Sequence, residues 1–289
     1  MKSRITGQTK VLGIIGSPIN HSLSPLMQNA AIEAVGLDFV YVPFAVPADG
    51  LCAAVQGLRN LGVAGFNVTI PFKTAIIPYL DKLSPEAELI GAVNTVNREG
   101  GFLVGYNTDG AGLLKSLAED LDFTPKGAHV LILGAGGAAR GAIASLCKAG
   151  VESVIIANRT RNKGEELLSC FKSVFPQVKL ALSSLDVLGS SDLLHGIDLI
   201  VNTTSVGMDN TSFDGLDMSL MNPATRIYDM VYAPLETPFL SAAKAMGLKS
   251  ANGIGMLAAQ GEIAFAVWTG CAPPSGLMKS CLLTAVKAK

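Results

Sequence analysis

The segment Gly134-Ala135-Gly136-Gly137-Ala138-Ala139 constrains this chain more than any other, because an apolar run at 129–133 leads straight into it and a helix-like stretch to Ala149 follows. The pattern is G-x-G-x-x-A, and each position has a mechanical reason. Gly134 allows a tight strand-to-helix turn, Gly136 lets a backbone come close to a pyrophosphate, and Ala139 is small enough for helix-on-strand packing. The helix that opens there presents unpaired N–H groups and a partial positive charge to an anion. Such a turn belongs to a parallel, doubly wound sheet. The rest of the chain agrees, with short apolar runs alternating with longer helical patterns. Strands are expected at 11–15, 39–42, 63–68, 154–157, 199–202 and 227–230, and an antiparallel pair at 92–96 and 102–105 around Gly100-Gly101. Helices are expected at 25–35, with Ser24 as N-cap, Pro25 in the first turn and Gly36 as stop, and at 51–61, 110–121, 256–268 and 277–286.

The end of the next strand decides between the two common dinucleotides. An acid there holds a ribose 2′-hydroxyl, whereas a guanidinium offers forked donors to a 2′-phosphate. This chain has Asn158-Arg159-Thr160, with Arg161 and Lys163 adding positive charge and no acid. The expected cofactor is NADP(H), held by Gly134, Ala135, Gly136, Gly137 and Ala138 at the turn and by Asn158, Arg159, Thr160 and Lys163 beyond it.

Composition removes other classes. Among 289 residues 16% are charged and the formal net charge is −1, so the basic excess that phosphate neutralisation requires is missing and no nucleic-acid partner is expected. The mean hydropathy is +0.42, yet no run approaches the roughly 20 apolar residues a membrane span needs. The first ten residues are polar, unlike a secretory signal. A soluble, cytoplasmic protein is expected. Cys52, Cys147, Cys170, Cys271 and Cys281 show no metal-ligand spacing, and no metal is expected.

Hydroxyl and amide side chains crowd three segments that each follow a predicted strand. They are His21-Ser22-Leu23-Ser24-Pro25, Asn67-Val68-Thr69-Ile70-Pro71-Phe72-Lys73 and Asn107-Thr108-Asp109-Gly110. Ligands of open α/β sheets bind beyond the carboxyl ends of strands, so these segments are expected to share one cleft facing the cofactor. Hydride transfer to a ketone leaves an alkoxide that a positioned acid must protonate. His129 starts a strand, His195 lies in a polar loop and His21 reads as a support. Lys73, with Asp109 beside it, is the better acid–base candidate.

These motifs, with Gly91-Ala92-Val93-Asn94-Thr95, Tyr228-Asp229-Met230-Val231-Tyr232 and Gly255-Met256-Leu257-Ala258-Ala259-Gln260, resemble the shikimate dehydrogenase family over essentially the whole chain. The resemblance implies reversible reduction of 3-dehydroshikimate by NADPH, in the pathway to chorismate and the aromatic amino acids. It implies Lys73 and Asp109 as the catalytic pair and Ser22 and Ser24 on the substrate carboxylate. Thr69, Asn94 and Gln260 would meet ring hydroxyls, Tyr232 would sit near the carboxylate and Gly255 near the nicotinamide. It further implies two α/β domains. Residues 1–109 and 255–289 would form a substrate domain with a mostly parallel sheet, onto which the C-terminal helices pack back. Residues 110–254 would form a Rossmann-like NADP domain. Domain closure over the substrate is expected, to exclude water. A monomer or homodimer is expected. The alternatives are a quinate/shikimate enzyme of dual specificity, a non-catalytic ligand-binding paralogue and a folate-pathway dehydrogenase; the last fits the 67–73 and 107–109 segments poorly.

Overall fold

The computed structural model describes residues 5–288. The chain forms two compact units, Met1–Gly112 with Leu257–Lys289, and Leu113–Met256. The sequence reading put the divisions at 109/110 and 254/255.

The first unit runs β1 (Lys10–Gly16), α1 (Ser24–Val35), β2 (Phe39–Ala45), α2 (Leu51–Asn60), β3 (Gly65–Val68), β4 (Lys82–Leu83), α3 (Pro85–Ile90), β5 (Thr95–Glu99) and β6 (Phe102–Tyr106). Its sheet has the order β2-β1-β3-β5-β6-β4. β1 pairs parallel with β2 and β3, and β4 with β6, while β5 is antiparallel to β3 and β6. The hairpin expected from 92 to 105 is present but begins three residues later. Ala92 and Val93 are buried, as their apolar side chains favour, but they lie outside the ladder, with the Val93 N–H bonded to the Lys73 carbonyl at 2.7 Å. Ser24 is the first helical residue of α1 and not its cap; Leu23 holds the cap position and no side chain caps it.

α4 (Asp109–Leu121) leads into the second unit, which contains β7 (His129–Leu133), α5 (Gly137–Lys148), β8 (Ser153–Ala157), α6 (Arg161–Lys172), β9 (Lys179–Ser183), α7 (Ser191–His195), β10 (Leu199–Asn202), β11 (Arg226–Asp229), α8 (Pro238–Ala245) and β12 (Lys249–Asn252). Its sheet is wholly parallel in the order β12-β11-β10-β7-β8-β9. Counted from β7, this is the order 3-2-1-4-5-6, whose direction reverses between β7 and β10; dinucleotides bind at such a switch point. Val130, Leu131, Ile132 and Leu133 are wholly buried, as a central strand covered on both faces requires. Burying each such side chain stabilises the fold by about 1.5–3 kcal/mol.

α9 (Ile254–Thr269) and α10 (Leu277–Lys287) close the chain. Within the first unit the Trp268 indole donates to the Val96 carbonyl at 2.9 Å and its ring lies 5.9 Å from that of Tyr41. The buried Gln28 amide of α1 donates to the Gly261 carbonyl at 3.0 Å. The C-terminal helices are therefore part of the first unit's core.

Candidate active site and cofactor turn

In the first unit, Lys73 follows β3 and Asp109 opens α4. Lys73 Nζ lies 2.6 Å from Asp109 Oδ2, with the two side chains 23% and 15% exposed. That exposure leaves the pair reachable while withdrawing most of it from water, which strengthens a charge-assisted hydrogen bond. A carboxylate in the first turn of a helix also meets the positive end of the dipole.

Asn94 supports the pair. Its amide nitrogen donates to Asp109 Oδ1 at 2.8 Å and Thr108 Oγ1 at 2.9 Å, while Gln260 Oε1 stands at 3.4 Å. Two amide hydrogens cannot serve three acceptors well, so Gln260 is the weak partner. Asn94 Oδ1 accepts from the Thr108 N–H at 2.8 Å. Asn107 bridges the loop, accepting from the Asp109 N–H at 3.1 Å and donating to the Ala92 carbonyl at 3.0 Å. Lys73, Asp109, Asn94 and Gln260 thus meet in one cluster, with Thr69 just ahead of Lys73 on the loop after β3.

Ser22 and Ser24 stand together at the start of α1, where the Ser24 N–H donates to Ser22 Oγ at 3.3 Å. Ser24 is buried against the Tyr41 hydroxyl, whose pKa burial pushes up. His21 is exposed, and His129 bonds Ser153 Oγ at 2.8 Å. His195 closes the short helix α7 and does not lie in a loop. Among the described residues there is no group of three or more His, Cys, Asp and Glu side chains placed to hold a metal ion. Nor is any described helix long and apolar enough to cross a membrane.

The cofactor turn belongs to the second unit. Gly134 has φ +109°, a conformation that side chains rarely adopt, and a Cβ there would meet Thr203 and Thr204. Gly136 caps α5 in an extended conformation without a side-chain partner, and no atom lies within 4 Å of a Cβ built on Gly136 or Gly137. Ala139 is wholly buried. A cavity of about 840 Å³ is lined by Gly134, Asn158, Arg159, Thr204, Ser205 and neighbouring residues. Arg161 is engaged by Glu165 at 2.8 Å, whereas Arg159 is exposed and pairs with no acid among the described residues. The Asn158 amide donates to the Thr160 carbonyl at 2.7 Å, ordering the turn that carries Arg159. An open glycine turn at a helix N-terminus, with a free guanidinium after the next strand, fits a dinucleotide bearing a 2′-phosphate.

One network escaped the sequence reading. The loop after β10 is held by the wholly buried Asp229, which accepts from Asn202 at 2.8 Å, the Val231 N–H at 3.0 Å and Thr237 at 2.6 Å. Burial raises the Asp229 pKa, and these donors oppose the rise. Asn202 in turn donates to the Val206 carbonyl and accepts from Thr204, shaping a wall of the cavity. Tyr232, the residue after Val231, is half-buried in this unit, and desolvation raises its pKa. Gly255 is buried against Ser116 and Asp120, with no room for a Cβ.

A wholly parallel 3-2-1-4-5-6 sheet with an open phosphate turn, in a chain that also carries a lysine–carboxylate pair, defines a pyridine-nucleotide-dependent oxidoreductase. Family models narrow the class. The shikimate dehydrogenase substrate-binding domain matches residues 14–96, shikimate/quinate 5-dehydrogenase matches 116–207, and the shikimate 5′-dehydrogenase C-terminal domain matches 253–280. A Geobacter metallireducens protein named shikimate dehydrogenase (NADP(+)) is 61% identical over 283 residues, covering 98% of this chain and 99% of its own. The Listeria monocytogenes shikimate 5-dehydrogenase, solved with shikimate and NAD, is 36% identical with a TM-score of 0.90, covering 98% and 99% of the two chains. The Thermus thermophilus shikimate 5-dehydrogenase, solved with NADP(H) and shikimate, is 37% identical with a TM-score of 0.84, covering 96% and 99%. The chain belongs to the shikimate dehydrogenase family.

Proposed function

We propose that this chain catalyses the reversible NADPH-dependent reduction of 3-dehydroshikimate to shikimate, a step toward chorismate and the aromatic amino acids. The observation that carries this reading is the 2.6 Å Lys73–Asp109 pair with Asn94 donating to the same carboxylate, in a member of this family. Lys73, as the ammonium, gives a proton to the oxygen that becomes a hydroxyl; in the reverse direction it takes that proton back. Asp109 holds the ammonium in place and offsets its charge. NADPH, when bound, supplies the hydride. Gly134, Ala135, Gly136, Gly137 and Ala138 would hold its pyrophosphate. Arg159, aided by Asn158, Thr160 and Lys163, would hold the 2′-phosphate, and Gly255 would lie near the nicotinamide.

Ser22 and Ser24 would take the substrate carboxylate, with Tyr232 near it, and Thr69, Asn94 and Gln260 the ring hydroxyls. A site built to bond hydroxyls rejects analogues lacking them, because its own polar groups would be left unpaired. The substrate domain is then residues 1–109 with 255–289 and the cofactor domain 110–254. The test is shikimate-dependent reduction of NADP by the purified protein, repeated with quinate and with NAD. Turnover is expected with shikimate and NADP. Equal turnover on quinate would make this a dual-specificity enzyme, and binding without turnover would reject the catalytic reading.

A further inference from the structure

A chain of hydrogen bonds runs from the core of the first unit to the acid–base pair, and the orientation of both its amides is fixed. Asn67 Nδ2 donates to the Asn94 carbonyl at 3.0 Å. A carbonyl only accepts, so the Asn67 amide has one possible orientation. Its Oδ1 then accepts from the buried Tyr41 hydroxyl at 2.7 Å, and its Nδ2 also donates to Thr95 Oγ1 at 3.0 Å. Thr95 must therefore send its own hydrogen elsewhere, and Asn94 Oδ1 at 3.0 Å is the nearer acceptor, Thr108 Oγ1 standing off at 3.5 Å. The other end is fixed independently. The Thr108 N–H can only donate to Asn94 Oδ1, and the Asp109 carboxylate can only accept from Asn94 Nδ2.

We infer that Thr95 is a positioning residue for the reaction, its wholly buried hydroxyl fixing the Asn94 amide so that Asn94 holds the carboxylate against Lys73. This rests on the Lys73–Asp109 reading above. Without the hydroxyl, Asn94 Oδ1 keeps only the Thr108 loop as a restraint and the amide can swing away from Asp109. The partners of Thr95 are the side chains of Asn67 on β3, of the adjacent Asn94 and, at 3.5 Å, of Thr108, so the hydroxyl fixes a geometry and does not touch the reacting atoms.

The experiment compares Thr95→Val, which keeps the shape, with Thr95→Ser, which keeps the hydroxyl, in steady-state shikimate oxidation. Thr95→Val is expected to lower kcat about 5–20-fold, from the loss of one buried hydrogen bond, with the KM for NADP unchanged. Thr95→Ser is expected to restore kcat to within about twofold. In an Asn94→Ala background, Thr95→Val should have no further effect on kcat, because the hydroxyl acts through that amide. Full additivity of the two substitutions, or a Thr95→Val enzyme with normal kcat, overturns the inference. Lys73→Ala serves as the reference arm. If it turns over normally the acid–base reading itself fails, whereas loss in Lys73→Ala with normal Thr95→Val sinks only the role of Thr95. Thermal unfolding of each variant keeps the comparison to folded enzyme.

Discussion

The Lys73–Asp109 cluster of the first unit is assembled from side chains, whereas the cofactor turn of the second is assembled from backbone. Around Asp109 each acceptor is filled, by Lys73 at 2.6 Å and by Asn94 at 2.8 Å, and the support behind them is a closed hydrogen-bonded web. At Gly136 and Gly137 the reverse holds, with no atom within 4 Å of a built Cβ and no side-chain cap on α5. One site works through groups that are present, the other through space that is kept free. The first should therefore break when atoms are removed and the second when atoms are added.

The largest effect belongs to removal. Lys73→Ala is expected to lower kcat by about 10²–10⁴-fold, the range for loss of a general acid, with the KM for NADP little changed. Steady-state kinetics in both directions checks it, and a variant within a few-fold of normal would dissolve the contrast. Addition comes next. Gly136 has φ −95° and ψ −168°, an extended conformation that valine accepts, so Gly136→Val should fold with an almost unchanged Tm. Its side chain would fill the space a pyrophosphate needs. Affinity for NADPH is expected to fall about 10²-fold through lost charge-assisted contacts, with catalysis at saturation largely kept. Tight NADPH binding by that variant would show that the open space is incidental.

Arg159→Ala sharpens the same comparison, because Arg159 is the guanidinium on which the backbone site is proposed chiefly to depend for its choice of cofactor. NADPH affinity is expected to fall about 10–10²-fold, the worth of one or two hydrogen bonds to a charged phosphate, while NADH affinity stays the same. Equal losses for both cofactors would remove the 2′-phosphate from the reading.

The difference in material also explains what could be read from the sequence. A backbone site is local, so the turn at 134–139, the strand before it and the helix after it stand in consecutive residues. A side-chain site is assembled across distance. Lys73 and Asp109 were reachable because each follows a strand in a hydroxyl- and amide-rich segment. That Asn94 bonds Asp109 and Thr108 closely and Gln260 only weakly depends on distances no pattern carries. Thr95 stood next to a chosen residue without a role, because its partner Asn67 lies on another strand and the β3–β5 register had to be known first. β9 and β12 were missed for another reason: both are sheet-edge strands with Lys, Ser or Asn in place of a continuous apolar run. The Asp229 network was hidden because a buried carboxylate reads in sequence like any surface acid.

The smallest expected effect tests whether the cluster around Asp109 is special or whether any bonded carboxylate of this unit behaves alike. Asp81 is the control. It accepts from Arg59 at 2.8 Å and from the Leu103 N–H at 2.6 Å, tying a loop to β6. The Arg59 hydrogen bond, followed by that of Leu103, lowers its pKa below the usual carboxylate value. A carboxylate with a lowered folded-state pKa adds stability above its unfolded value of about 3.9 and loses it as the pH falls through the folded value. Asp81→Asn should therefore lower Tm at pH 7, with a gap that stays constant down to about pH 5 and closes below about pH 4. Asp81 is about a third exposed, so solvent screening limits the ion pair's share to roughly 0.2–1 kcal/mol. Shikimate oxidation by Asp81→Asn at saturating substrates should match the unaltered enzyme, since Asp81 braces the sheet edge through Arg59 and Leu103. A fall in kcat approaching that of Lys73→Ala would mean that activity follows the general rigidity of the first unit and not the arrangement around Asp109.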